Sequence, residues 1–485
     1  PIAWNARKRA PTVAELLMAR PDDGPSTSVE TDDRLKELHE QLSLRPVPVG
    51  AFQRLRTLGG LQVRLAVAYS VYYLRNWFRS PDQKEQQLLE TNLRSALRTL
   101  EAMGYLRGAV MKIGQALAMF PQLAPAEFAE LLGTLHFEAP PMHFSLVREH
   151  LVDELGRDPE EVFESFEHEA FAAASLGQVH RARLPSGERV AVKVQYPGIG
   201  RTIRADIGNL QRLLFPLRLS KDWDSLNDQF REVQSVLESE TDYEQEAASL
   251  KVARGAFHDE DGVVVPRVFD QYSTRRVLTM EFIDGTNFEE FLDSRPSQEL
   301  RNQFGERILR ASLRLYMSRR LLYSDFNPGN LLFCEDGRLG WIDFGGLRRF
   351  SDAEWALLHR AHATMCISDP EVIRDYVQFS LMFSDSEMQS KAKIVELVTE
   401  WAEYYWLPLR TNGVFDYGDP AYLNRGIELW KRAAEARVLR QRSMNIFLHR
   451  CNFELLALLH RLGARVDVRR IYDEEIEASG WLEAG

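Results

Sequence analysis

The stretch "SDFNPGNLLFCEDGRLGWIDFGG", residues 324–346, decides how the rest of the chain is interpreted. In it, Asp325 precedes Asn330 by five residues, and Asp343 opens a "DFG" further along. Amide and carboxylate oxygens are the hard ligands that Mg²⁺ prefers beside phosphate, and another carboxylate can orient or deprotonate an attacking hydroxyl or water. Each motif alone is a weak signal, because "DFG" occurs by chance and Asp-x-x-x-x-Asn before a strand is more often a turn.

The order of the neighbouring segments makes a chance match improbable. Upstream, "RVAVKVQY" places Lys193 in a strand, a helix with glutamates follows, and an apolar strand ends at "EFIDG". A strand lysine, a helix glutamate, Asp-x-x-x-x-Asn and DFG follow one another in the same order in protein kinases. The sequence therefore predicts an α+β fold of the two-lobe, protein-kinase-like type, with a helical N-terminal extension and a mostly helical C-lobe.

This order assigns a task to each polar side chain. Lys193 is expected to hold the α- and β-phosphates of ATP, with a helix glutamate fixing its rotamer. Asp325 is expected to act on the attacking group, and Asn330 and Asp343 to bind Mg²⁺. The alternative is that the lysine is merely solvent-exposed and the other motifs are ordinary turns. The occurrence of all the motifs in the order found in protein kinases makes this alternative improbable.

Two departures from protein kinases narrow the expected activity. Tyr323 stands two residues before Asp325, where a protein kinase has His. The residues between Gly345 and a helix capped by Ser351 are too few for the activation segment that presents a peptide substrate, and no A-P-E follows. The sequence therefore argues against ordinary protein phosphorylation.

An alanine-rich stretch, "AAASLGQVHRA" (172–182), occupies the place of a phosphate-binding hairpin. Such hairpins normally carry glycines, because backbone amides approach the phosphates closely and alanine resists the left-handed backbone. We expect a stiffer loop that sits differently over the phosphates. The alternative is that the alanines begin a short helix whose amides near Ser175 bind an anion, and the pattern leaves both open. The predicted nucleotide-binding residues are Ala172, Ala173, Ala174, Ser175, Val179, Lys193 and Glu281.

Composition excludes several classes of protein. The net charge of −11 argues against non-specific nucleic-acid binding. Three widely spaced cysteines exclude a disulfide scaffold and a Cys-based zinc cluster and favour an intracellular, cytoplasmic or organellar location. No apolar run is long enough for a transmembrane helix. Because the chain starts at Pro1, a preceding targeting or anchor segment stays an open question.

The pattern along the chain predicts four parts. They are a flexible arm (1–50), a helical N-terminal extension (51–150), a kinase-like N-lobe with inserted helices (151–285) and a helical C-lobe with the catalytic loop and DFG (286–485). Everything from 352 to 484 is predicted to be helical. Residues 52–78 combine arginines with aromatic residues, which suits a helix lying on a membrane surface, although a core helix fits at least as well.

Several signatures together resemble the UbiB family of atypical kinase-like proteins, which is tied to ubiquinone and other prenyl-lipid metabolism. The matching stretches are "KIGQ" (112–115), "AAAS" (172–175), "ETDYEQE" (240–246), "VAVKVQYPGI" (190–199), "SDFNPGN" (324–330) and "DFG" (343–345). The resemblance covers about 90–480 and is specific, because K-x-G-Q and the alanine loop are not general kinase features. The catalytic loop departs from it, since Tyr323 and Phe326–Asn327 replace the commoner His and Pro-His.

The resemblance implies an atypical kinase-like, Mg²⁺-dependent ATPase with slow or no protein kinase activity, using ATP/ADP and Mg²⁺. It implies a prenyl lipid or quinone precursor and a membrane surface as partners. It also implies that Glu246 pairs with Lys193, although the pattern alone leaves open which glutamate takes which lysine. The implied regulatory residues are the K-x-G-Q side chains and the carboxylates that meet them, namely Lys112, Gln115, Glu240 and Asp242. A nucleotide-binding pseudokinase or lipid-binding module without turnover is the alternative.

Overall fold

The computed structural model describes residues 142–174, 176–200, 240–356, 358–359, 370–381, 383–436 and 443–481. The predictions for residues 1–141 lie outside the described residues, among them Lys112, Gln115 and the helix at 52–78. Ser175 also lies outside them. The predicted four-part division of the chain therefore stays a prediction.

The described residues contain short strands and longer helices. The strands are β1 (Ser165–Phe166), β2 (Ala172–Ala174), β3 (Gly177–Arg183), β4 (Arg189–Gln195), β5 (Val263–Val264), β6 (Val277–Glu281), β7 (Leu321–Tyr323), β8 (Leu331–Phe333), β9 (Leu339–Trp341), β10 (Leu347–Arg349), β11 (Phe415–Asp416) and β12 (Arg465–Val466).

The helices follow the same chain order. They are α1 (Phe144–Leu155), α2 (Pro159–Val162), α3 (Tyr243–Arg254), α4 (Phe288–Asp293), α5 (Gln298–Arg319), α6 (Pro370–Leu381), α7 (Asp385–Ser390), α8 (Ala392–Arg410), α9 (Pro420–Glu435), α10 (Ser443–Leu462) and α11 (Val468–Ser479). None of the described helices is long and apolar enough to cross a membrane.

The chain divides into two compact units. The first comprises Pro1–His150, Glu169–Val179 and Gln195–Thr241, and the second comprises Leu151–His168, His180–Val194 and Asp242–Gly485. In the first unit, Gln195 Nε2 donates to the backbone oxygen of Thr241 over 3.0 Å. The second unit contains the lysine strand, the catalytic loop and the DFG turn, so the polar residues of the kinase motifs lie within one unit.

The alanine stretch is extended and forms no helix. Ala172–Ala174 pair with β3 in antiparallel register, with Ala172 opposite Val179 and Ala174 opposite Gly177. Only residues 175 and 176 lie between the two strands, which leaves no room for a helical turn. The interpretation of the alanines as a helix start is therefore wrong, because the backbone groups of Ala172–Ala174 are used in pairing with β3.

The lysine strand β4 lies within a sheet whose order is β1-β3-β4-β6. It pairs with β6 in antiparallel register, and Lys193 stands opposite Leu278. Val192 and Val194 are fully buried. Because successive side chains of a strand point to opposite faces, Lys193 faces away from these two valines, toward the side on which the polar residues of the site collect.

Helix α5 leads the chain into the catalytic loop. Its N-cap Ser297 accepts a hydrogen bond from the backbone nitrogen of Leu300 over 3.2 Å. Ile308, Ala311 and Leu315 recur at three- and four-residue spacing and are buried, which is the pattern of a helix face packed into a core. The helix ends at Arg319 and is capped by Arg320, whose φ of 55° is left-handed. The chain then enters β7 directly.

The C-terminal region is not entirely helical, so that prediction is wrong in one detail. β11 pairs with β12 in antiparallel register, with Phe415 opposite Val466. Each of these strands has two residues. Such a segment is too short to produce the period-two alternation by which a strand is identified in a sequence.

Candidate active site

A buried lysine and two carboxylates form the centre of the site. Lys193 Nζ lies 2.7 and 2.9 Å from the two carboxylate oxygens of Glu246 and 3.2 Å from Asp343 Oδ2. The same ammonium lies 4.9 Å from the ring centroid of Tyr243, within the range of a cation–π contact. Burial by itself lowers the pKa of Lys193, but the charges of Asp343 and Glu246 more than offset it and hold the pKa well above its ordinary value. Lys193 is therefore a cation throughout the neutral pH range.

The start of helix α3 positions Glu246. The N-cap is Asp242, whose Oδ1 accepts a hydrogen bond from the backbone nitrogen of Glu244 over 3.1 Å. Its Oδ2 lies 3.2 Å from Arg275 Nε, and the backbone nitrogen of Tyr243 donates to the Arg275 oxygen over 3.0 Å. Asp242 therefore caps and anchors the helix that carries the lysine's partner. Its predicted contact with the K-x-G-Q side chains stays a prediction, as does that of Glu240.

Asp343 is held at the start of the DFG turn. Its Oδ1 accepts a hydrogen bond from the backbone nitrogen of Gly345 over 2.8 Å, while Oδ2 faces Lys193. The side chain keeps 26% of its surface exposed. An ionised carboxylate has about four lone-pair sites, and it is a hard oxygen donor of the kind that Mg²⁺ prefers.

Asn330 is oriented by the acceptors around its amide nitrogen. Nδ2 lies 3.2 Å from both the backbone oxygen and Oδ2 of Asp325, and 3.1 Å from the Tyr323 hydroxyl. The backbone oxygen of Asn330 accepts from the nitrogen of Ile342 over 3.0 Å, next to the DFG turn. With its nitrogen directed to these acceptors, Asn330 retains Oδ1 as a hard oxygen donor.

Tyr323 links the catalytic loop to the DFG turn, and the sequence indicated it only as a departure from His. Its hydroxyl donates to the backbone oxygen of Asp343 over 3.1 Å and accepts from Asn330. Its ring packs edge-on against Phe326, Trp341 and Phe344 at 4.6–5.4 Å between centroids. Burial raises the pKa of Tyr323 well above its ordinary value, and the nearby carboxylates add to this effect. The phenol therefore stays neutral.

The flanks of Asp325 make two further contacts that sequence reasoning missed. On one side, Ser324 donates from its backbone nitrogen and from Oγ to the backbone oxygen of Gly346, over 3.0 and 2.6 Å. On the other side, the backbone nitrogen of Phe326 donates to Glu454 Oε2 over 3.2 Å. The serine stands within the motif and could have been suspected, whereas no motif or spacing marks Glu454.

Two residues predicted to bind nucleotide, Glu281 and Val179, contact other residues of the protein. Glu281 ends β6, and its Oε2 accepts from the backbone nitrogen of Arg267 over 3.1 Å and lies 3.6 Å from Arg254 NH1. Val179 is buried and pairs with Ala172. The assignment of both residues, and of the three alanines, to the nucleotide site stays a prediction.

Two side chains of the site offer oxygen atoms to a metal ion. Within the described ranges, no group of three or more histidine, cysteine, aspartate or glutamate side chains could hold a metal ion. Asn330 and Asp343 provide two oxygen-bearing side chains. Mg²⁺ is typically bound by one or two protein carboxylates together with substrate phosphates and water, so this small donor set fits it.

A family domain and several known proteins match the segment that carries the kinase motifs. Residues 134–377 match the ABC1 atypical kinase-like domain. The chain is 32% identical over 322 residues to the mitochondrial atypical kinase COQ8B of Danio rerio. This alignment covers 65% of this chain and 51% of the relative. It is also 30% identical over 334 residues to the mitochondrial atypical kinase COQ8 of Saccharomyces cerevisiae, and this alignment covers 67% of this chain and 65% of the relative. The chain thus spans about half of the first relative and 65% of the second.

A solved structure agrees with these matches. It is titled as the complex of Rv3197 with erythromycin from Mycobacterium tuberculosis, and it aligns with a TM-score of 0.55 and 28% identity over 82% of this chain and 98% of that chain. The predicted kinase-like α+β fold class and the resemblance to the UbiB family are both confirmed by these matches. The domain match includes the strand lysine, its glutamate partner, the catalytic loop and the DFG turn. The chain belongs to the ABC1 atypical kinase-like family.

Proposed function

We propose that this protein is a slow, Mg²⁺-dependent ATPase of the atypical kinase type that supports ubiquinone or other prenyl-lipid metabolism, with slow or no protein kinase activity. One observation carries the proposal. Lys193, Glu246 and Asp343 form one hydrogen-bonded cluster, and Asp325 and Asn330 form a second. Tyr323 links the two clusters within one compact unit, because its hydroxyl bonds both Asn330 and the backbone of Asp343.

The chain's own residues divide the work. Lys193 is a buried cation whose rotamer is held by Glu246, so it binds the α- and β-phosphates without reorganisation. Asp325, oriented by Asn330, accepts the proton from the O–H of the attacking water or hydroxyl. Asn330 Oδ1 and the Asp343 carboxylate would hold Mg²⁺. When bound, the cation neutralises charge on the phosphate oxygens.

The phosphoryl acceptor is water or a small molecule, and the geometry after the DFG turn supports this. β10 pairs with β7 immediately after the turn, with Leu347 opposite Tyr323. Ser351 Oγ then accepts from the backbone nitrogen of Glu354 over 3.3 Å. Over 345–356 the chain therefore forms no long peptide-presenting segment. The proposed partners are adenine nucleotide and a prenyl lipid or quinone precursor at a membrane surface, the lipid part resting on the family resemblance.

Phosphate release from ATP tests the proposal. Wild type is expected to release phosphate slowly, only with Mg²⁺, and faster when membrane lipid or a phenolic quinone precursor is present. Asp343→Asn is expected to fall to the background rate, because it removes a charged metal ligand and a partner of Lys193. The matched control is Asp336→Asn, which neutralises an exposed aspartate of the β8–β9 turn and is expected to retain the wild-type rate.

A thermal-shift measurement separates the two classes of function. Mg²⁺ with adenine nucleotide is expected to raise the Tm of wild type, and the Mg²⁺-dependent part of the shift is expected to disappear in Asp343→Asn. A shift without phosphate release under any lipid condition would contradict the ATPase and support the nucleotide-binding module. Equal shifts for wild type and Asp343→Asn, with and without Mg²⁺, would contradict the metal assignment as well.

A further inference from the structure

We propose that Glu454 is a positioning residue for Asp325, acting from helix α10 through the backbone N–H of Phe326. The inference rests on the proposed function, because it takes Asp325 as the residue that acts on the attacking group. Glu454 lies beyond residues 134–377, the segment matched by the family domain. The inference thus assigns part of the catalytic apparatus to the C-terminal helices.

The hydrogen bond fixes the peptide unit that follows the catalytic aspartate. Glu454 Oε2 accepts from the backbone nitrogen of Phe326 over 3.2 Å. At the other end of that peptide unit, the backbone oxygen of Asp325 accepts from Asn330 Nδ2, also over 3.2 Å. Because a peptide unit is planar and rigid, holding both its N–H and its C=O sets its orientation. Asp325 is directly attached to that plane, so the plane limits where its carboxylate points.

The position of Glu454 on α10 favours a dedicated contact over a solvated charge. Helix α10 packs against β7, the strand that enters the catalytic loop. Cys451 and Leu458 lie three residues before and four residues after Glu454, on the same helix face, and both are 2% exposed. Glu454 itself is half-buried, and partial desolvation of a carboxylate is costly unless it is hydrogen-bonded. An ionised acceptor also makes a stronger hydrogen bond than a neutral one.

On the N-terminal side of Asp325, separate hydrogen bonds hold Ser324 in place. Ser324 is bound through its nitrogen and its hydroxyl to the backbone oxygen of Gly346. Removing the Glu454 carboxylate leaves the hydrogen bonds between Ser324 and Gly346 intact. It removes only the hydrogen bond from the backbone nitrogen of Phe326. The expected consequence is therefore misorientation of Asp325, with the lysine and metal-binding residues still in place.

Steady-state kinetics of Glu454→Ala and Glu454→Gln test the inference. For Glu454→Ala, kcat is expected to fall about 10- to 100-fold, with KM for ATP within about threefold of wild type, because a misplaced catalytic group costs rate and leaves nucleotide binding unchanged. Glu454→Gln keeps an acceptor oxygen at the same reach and is expected to retain most of kcat. The control is Glu403→Ala, an exposed glutamate of α8. If kcat of Glu454→Ala stays within twofold of that control, the inference is wrong.

Hydrogen–deuterium exchange of the catalytic-loop peptide tests the Glu454–Phe326 hydrogen bond without requiring ATP hydrolysis. The amide of Phe326 is expected to be protected in wild type and Glu454→Gln and to exchange faster in Glu454→Ala. If wild type exchanges as expected but hydrolyses no ATP, the proposed function fails while the contact stands. Equal exchange in wild type and Glu454→Ala overturns the contact whatever the ATPase rate.

A double-variant cycle with Phe326→Pro shows whether Glu454 acts through this N–H. Proline removes the donor and fixes φ, and it is the commoner residue here in the family that the sequence resembles. In the Phe326→Pro background, Glu454→Ala is expected to change kcat by less than about twofold. The same loss in both backgrounds would overturn the inference. Glu454→Met, which keeps the side-chain volume without the acceptor, replaces the alanine variant if that one does not fold.

Discussion

At the scale of single residues, Lys193 dominates the electrostatics of the site. Its side chain is only 10% exposed and lies between Glu246, 6% exposed, and Asp343. Buried ion pairs often contribute little net stability, because desolvation offsets the attraction, yet removing one partner is strongly destabilising. The arrangement therefore favours function: a cation held in place before phosphate arrives costs no reorganisation on binding.

Glu246→Gln is expected to lower the free energy of unfolding at pH 7 by about 3–5 kcal/mol, because it leaves a buried lysine with one carboxylate. The pKa of Lys193 is raised on folding, so the folded state keeps this proton longer than the unfolded chain. Its contribution is therefore complete below the unfolded pKa of about 10.4 and is lost as pH rises through the folded value. The difference between variant and wild type should shrink in that alkaline range.

Urea unfolding across pH measures this effect. The matched control is Glu244→Gln, an exposed glutamate of the first turn of α3, which is expected to change stability by no more than about 0.5 kcal/mol. Equal changes for the two variants, or a difference that does not depend on pH, would refute the assigned electrostatics.

At the scale of elements, strand β2 shows why alanine suits the stretch where protein kinases carry a glycine-rich loop. Ala172–Ala174 form ladder pairs with β3, opposite Val179, Gln178 and Gly177. Extended backbone suits alanine, and the left-handed conformation that favours glycine is not required at these three positions. The stiffness of this stretch stays a prediction.

Ala174→Gly is expected to reduce stability by about 0.5–1 kcal/mol, because glycine loses more backbone freedom in a strand. If the alanines tune phosphate handling, the ratio of ATP to ADP affinity should also change. Titration calorimetry with both nucleotides measures that ratio. Ala182→Gly in β3 is the control, and it is expected to lower stability without altering the ratio of ATP to ADP affinity. An unchanged ratio in Ala174→Gly would exclude the tuning role.

At the scale of the whole molecule, the C-terminal helix α11 is tied into the second unit by a buried carboxylate. Glu475 is 1% exposed and accepts from Arg314 Nε and NH2 over 3.0 and 2.8 Å and from Arg310 NH1 over 3.2 Å. Arg314 also forms an ion pair with Asp261. Both arginines lie on α5, the helix that leads into β7 and the catalytic loop, so α11 stabilises the element that positions the site.

Glu475→Ala is expected to lower the free energy of unfolding by about 3–5 kcal/mol, because two arginines would lose a buried partner. Chemical denaturation measures the change, with Glu477→Ala, an exposed glutamate of the same helix, as the control. A loss no larger than that of the control would show that the network contributes little to stability.

The chain's sequence alone determined the family, the fold class and the lysine, aspartates and asparagine proposed for the chemistry. These features depend on residue type and spacing along the chain, since a strand lysine, Asp-x-x-x-x-Asn and DFG each require local chemistry in a set order. Only the tertiary structure decided that Tyr323 bridges Asn330 to the DFG turn and that the alanines are extended. It also decided that Glu454 reaches the catalytic loop across 128 residues. The physical reason is that such contacts arise from how α10, α11 and the strands pack, and no period or spacing in the sequence encodes them.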